Sequence, residues 1–213
     1  MKLFRTVKFM VLFFTLFSNI NYAQFVKDYE MILKKDLVDA LSFAGVDIIK
    51  INLGEVNSNY SFKIIIDEYA GKDNFIKSDT VISRFTEYNR PSKDGNWEKH
   101  YIDSLRLISK VLNNSFDKIY LIFSTVPFSV NAIMNLEKEY QRKHYWVKFS
   151  KADLIIGDKI PILFYGSEWD DMINGVKVPR FCSKKELSRD LDEETIQFIP
   201  HYFIISYKLD EIK

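Results

Sequence analysis

Five short apolar runs constrain this chain more than any other feature. They are VDIIKINL (46–53), YSFKIIIDEY (60–69), DKIYLIFST (117–125), KIPILFYG (159–166) and HYFIISYKL (201–209). All are rich in β-branched and aromatic residues, and turn-forming residues flank most of them, so each reads as a strand. GEVNSN (54–59) lies between the first two and predicts a hairpin. SDTVISRFTEYN (78–89) extends the set by a third strand, and YWVKFS (145–150) reads as another.

Between these runs the apolar spacing changes to that of a helix. In residues 24–45, Val26, Tyr29, Leu33, Leu37, Ala40, Leu41 and Ala44 fall on one helical face. Gly45 stands where a helix ends on a residue that tolerates positive φ. After the loop RPSKDGN (90–96), Trp97, Tyr101, Leu105, Ile108 and Leu112 form the stripe of a second helix. Pro127 and Ser129 introduce a third, reaching about Arg142. Ser183 and Glu186 form a capping-box pattern that starts a short fourth helix. Helices and strands mixed without regular alternation predict an α+β fold, with helices packed on a largely antiparallel sheet in which some mixed pairing is allowed.

The first 23 residues read as a secretory signal. Lys2, Arg5 and Lys8 precede any acidic residue. Phe9 to Phe17 is apolar except for Thr15, and a small residue, Ala23, marks the exit. The run is far shorter than the roughly 20 apolar residues of a membrane-spanning helix. Residues 24–213 are then expected to form one globular domain. Taking the three signal cations from 30 basic residues leaves 27 against 29 acidic ones, a net charge of −2. That balance predicts no nucleic-acid partner, which would need a basic face. An exported localisation, periplasmic or extracellular, follows as an expectation, with no stable membrane span once the signal is removed. Cys182 is the one cysteine, so no internal disulfide is possible and the apolar core must hold the domain together. The thiol itself reads as buried and inert.

Catalytic signatures are scarce. No HExxH, paired CxxC, P-loop, dinucleotide fingerprint or GxSxG elbow occurs. His100, His144 and His201 share no local ligand spacing, and no metal or cofactor is expected. Ser115 to Lys118 matches an SxxK spacing but lies where a helix is expected to end. The densest chemistry is YGSEWDDM, where Glu168, Asp170 and Asp171 crowd around Trp169. Such carboxylates can do acid–base work on a sugar, with the indole as platform, or bind a cation. Their plain reading is the solvated first turn of a helix, where carboxylates favour the dipole. The resulting expectation is an exported, non-enzymatic binding or envelope-associated protein with a protein or small-molecule partner. The alternatives are a carboxylate-dependent hydrolase of glycan-type substrates and an immunity or inhibitor protein.

Overall fold

The computed structural model describes residues 34–112, 115–151, 153–191 and 194–212. The chain divides into two compact units, Met1–Val46 and Asp47–Lys213. Within the first, helix α1 (Lys34–Phe43) is described, and Gly45 just beyond it has φ +70°, the helix stop expected of it. The preceding part of that expected helix and the signal segment lie outside the described residues.

The larger unit overturns the α+β expectation. The structure is 56% strand and 8% helical, with one α-helix among the described residues. Its strands are β1 (Val46–Asn52), β2 (Ser61–Tyr69), β3 (Phe75–Phe85), β4 (Glu87–Pro91), β5 (Trp97–Tyr101), β6 (Ser104–Val111) and β7 (Lys118–Ser124). There follow β8 (Ser129–Asn135), β9 (His144–Phe149), β10 (Lys159–Ser167), β11 (Trp169–Ile173), β12 (Val176–Arg180), β13 (Glu186–Leu187) and β14 (Tyr202–Asp210). Four strands form one sheet, in the order β1-β6-β7-β8. Six form a second, β13-β9-β10-β14-β2-β3. The pairs β4-β5 and β11-β12 are separate two-stranded hairpins.

Each helix expected beyond Gly45 fails for an identifiable reason. The second becomes β5 and β6. Its 3.6-residue stripe coincides with a period-two pattern in which Leu105, Leu107 and Ser109 are buried while Arg106 and Lys110 face out. Trp97, its first apolar residue, is 72% exposed. The third becomes β8 and a 3₁₀ turn at Lys138–Tyr140. The fourth becomes the two-residue β13, which pairs parallel to β9 through Glu186 and Leu187. Propensity and local spacing are weak against the burial offered by a neighbouring strand.

The expected hairpin between 46–53 and 60–69 is also absent, since β1 and β2 belong to different sheets. Strand β2 buries one face, Phe62, Ile64, Ile66 and Glu68, and half-buries most of the other. It pairs antiparallel with β14 over nine residue pairs and with β3 on its other side. The chain therefore crosses between sheets at 53–60. Thr86 pins that crossing: it is fully buried, and its hydroxyl donates to Ser58 O at 2.9 Å and accepts from Tyr60 N at 2.8 Å. The loop RPSKDGN is the turn of the β4-β5 hairpin, closed by Gly95 at φ +81°.

The two large sheets pack face to face. Phe62, Ile64 and Ile66 of β2 and Phe203, Ile205 and Leu209 of β14 share one apolar cluster with Leu107, Leu121 and Phe123 of the smaller sheet. A second cluster covers the outer face of the six-stranded sheet. There Phe164, Tyr202 and Ile204 meet Cys182, Leu187, Ile196 and Ile199 from the segment between β12 and β14. Cys182 is a buried free thiol among them.

Candidate functional site

The acidic stretch folds as one strand of a hairpin and not as a helix start. Asn174 and Gly175 both have positive φ, +51° and +78°, the geometry of a type I′ turn whose twist suits a two-residue hairpin. Strands β11 and β12 close on it, with Trp169 opposite Arg180, Asp171 opposite Val178, and Ile173 opposite Val176. The dipeptide Asn-Gly is a strong hairpin signal, and it outweighs the helical reading of DDMI.

The carboxylates then meet cations. Asp170 Oδ2 lies 2.8 Å from both Lys177 Nζ across the hairpin and Arg142 Nη1 outside it. Its lysine bond, and then its arginine bond, hold its carboxyl below the usual range. Asp171 pairs with Arg180 at 3.3 Å. Glu168 marks the hairpin root, its backbone N–H donating to Lys143 O at 2.9 Å. Trp169 stacks on Phe198 at 6.3 Å between ring centres. The tip presents apolar side chains to solvent: Met172 is 64% and Val176 63% exposed, and Ile173 is exposed beside them.

Beneath the root lies a buried polar chain that residue spacing does not reveal. His144 of β9 pairs with Ser167 of β10, and Ser167 N–H donates to His201 O, which places the three in one row across the sheet. Ser167 is small enough for the two imidazoles to meet over it. His144 Nε2 lies 3.2 Å from His201 Nδ1, and His201 Nε2 lies 3.0 Å from Glu68 Oε1. At one end His144 Nδ1 is 2.8 Å from Arg142 O. At the other, Glu68 Oε2 is 3.3 Å from Lys77 Nζ. All three members are buried. Burial draws His144 down to about 4, against the opposing bond to Arg142 O, and the neighbouring His201 lowers it further. Burial also draws His201 down to about 4, against the charge of Glu139. Tyr140 and Phe203 pack on His201, while Tyr165 stacks on His144.

His100 stands apart, stacked on Tyr88. Among the described residues no group of three His, Cys, Asp or Glu side chains is arranged to hold a metal ion. No described helix is long and apolar enough to cross a membrane. One signal for the buried chain was present in the sequence: Phe62, Ile64, Ile66 and Glu68 share the inward face of β2, so period two alone puts a carboxylate in the core.

Fold and site together define a two-sheet β-sandwich that carries an ion-paired hairpin over a buried imidazole–carboxylate chain. A family model described as a domain of unknown function (DUF5041) matches residues 15–211, and the chain belongs to that family. No curated protein and no solved structure matches it.

Proposed function

We propose that this chain is an exported, non-enzymatic binding protein of the cell envelope or exterior, and that the β11-β12 hairpin is its binding element. The carrying observation is the state of the hairpin's side chains. Asp170 and Asp171 are neutralised by Arg142, Lys177 and Arg180. A carboxyl held low by two cations is a poor general acid, which counts against the carboxylate-dependent hydrolase. Met172, Ile173 and Val176 meanwhile form an exposed apolar tip, a feature typical of contact surfaces. The export part of the proposal is supported by the charged, apolar and small-residue pattern of residues 1–23. An immunity or inhibitor protein is the same reading with a toxin or enzyme as the partner.

The test is site-directed photo-crosslinking from position 172 in cells exporting the full chain. One stoichiometric adduct is expected, lost when Ile173→Glu and Val176→Glu are combined. Turnover of a glycan or ester panel that Asp170→Asn abolishes would overturn the reading.

A further inference from the structure

The contacts of the buried chain fix how many protons it holds. Three of them run between Arg142 O, His144, His201 and Glu68. Each needs one hydrogen, because facing lone pairs repel as facing hydrogens do. Arg142 O can only accept, so His144 Nδ1 carries a hydrogen. One more lies between the rings, and one between His201 and Glu68. Two neutral imidazoles and a carboxylate supply two hydrogens, so the satisfied chain holds a third, shared along it as a unit. A fourth on an imidazole nitrogen must set two hydrogens against each other at one contact, in a place where burial already opposes the imidazolium form; the one acceptor outside the three contacts, Glu68 Oε2, faces the Lys77 ammonium at 3.3 Å, which opposes a proton there.

The chain also anchors the hairpin. The residue whose carbonyl receives His144 is Arg142, whose guanidinium grips Asp170. Lys143, between them, binds the hairpin root through Glu168 N–H. On the other side His201 exchanges two bonds with Ser167, immediately before that root: Ser167 N–H donates to His201 O, and His201 N–H donates to Ser167 Oγ at 3.3 Å. Separating the imidazoles therefore disturbs both supports of the hairpin. Solvent protons have a route in. A groove of about 50 Å³ reaches Glu68, Lys77 and Asp79 between β3 and β8, where a water needs roughly 10–15 Å³.

We infer that Glu68, His201 and His144 form an acid-operated latch, which keeps the hairpin docked while it holds three protons and frees it when a fourth arrives. This rests on the reading of the hairpin as the binding element and gives that element a regulator. The surrounding charges set the threshold. Lys77, itself paired with Asp79, faces Glu68 and resists further positive charge there. Glu139 favours protonation of His201, and Glu137 acts on the adjoining Tyr140. On the side of β10, Tyr165 packs against His144 and feels Asp47. Arg142 and Lys143 bear on the His144 end.

Hydrogen exchange of the full chain, corrected for intrinsic rates, tests the latch without any partner, so its failure and that of the binding reading are distinguishable. Between pH 7 and pH 4.5, amides of 167–180 should lose protection by at least about tenfold, reversibly, while those of β6 and β7 change by less than about twofold. In His144→Asn the amide can still donate to Arg142 O and takes up no proton, so the hairpin should lose less than about threefold. Equal loss in hairpin and sandwich, no loss in the hairpin, or a His144→Asn response matching the parent would each overturn the latch. Should that variant not fold, ring ¹⁵N shifts of the parent at pH 7 decide: a hydrogen on Nδ1 of His144 is required, and the Nε2–H tautomer alone would refute the proton count.

Discussion

Trp146, half-buried against the core, keeps its indole nitrogen partnered through one hydroxyl. Its Nε1–H donates to Ser109 Oγ at 2.8 Å, from one sheet to the other, and Ser109 is buried. Ser109→Ala removes the acceptor of that N–H, and should cost about 1–3 kcal/mol in urea unfolding. Ser109→Thr, which keeps the hydroxyl, separates the lost bond from altered packing. The imidazoles give a second prediction at this scale. In the unfolded chain they take protons near 6.5; folded, both are drawn down to about 4 by burial. A depressed folded value means that the contribution of the neutral rings is present above the unfolded value and is lost as pH falls toward the folded one. The melting temperature should therefore decline from about pH 6.5 toward pH 4, and less steeply in His144→Asn, as thermal melts across that range would record.

At the scale of elements, turns and close approaches decide what each strand can be. A two-stranded ribbon is marginal by itself, and the β11-β12 hairpin depends on a turn with positive φ at both central residues. Gly175→Ala should cost about 1–2 kcal/mol locally, the strain of a side chain in the left-handed region. Faster hydrogen exchange confined to 169–180 would register it. Gly166 is constrained differently. It lies on β10 beneath the ring of Phe164, and a Cβ there would collide with that ring. Phe164 is fully buried against Tyr202 and cannot swing aside. Gly166→Ala should therefore destabilise the protein by roughly 1–3 kcal/mol, the range for overpacking a filled core, read as a lower urea midpoint. Seven of the fourteen described strands, β1, β2, β3, β7, β9, β10 and β14, were legible as strand-like runs, and Gly45 as a helix stop. The segment Trp97–Val111 was not, because Leu105, Ile108 and Leu112 satisfy a helical stripe while Leu105, Leu107 and Ser109 satisfy a strand. Nothing local separates the two periods until a partner strand is supplied.

At the scale of the whole molecule, the larger unit is held by sheet-to-sheet burial in a chain that can form no internal disulfide. Leu121, fully buried on β7 where the sheets meet, should cost about 2–5 kcal/mol on truncation to Ala, as the denaturant midpoint would show. Export is tested on the same scale: made with its own N-terminus in a secreting host, the protein should lose about 23 residues by intact mass. The sequence by itself determined the apolar strands, the impossibility of an internal disulfide, the near-neutral charge and the acidic stretch, because each is a property of composition or of neighbours along the chain. The tertiary structure alone decided that β1 and β2 part into different sheets, since strand pairing follows long-range burial and not proximity in sequence. It also decided the site. His144 and His201, 57 residues apart, meet over Ser167 only because the register of β9, β10 and β14 puts them in one row. Asp170 gains a second cation beside Lys177 only because the fold brings Arg142 to it. Such encounters are set by backbone hydrogen-bond register, which no spacing along the chain encodes.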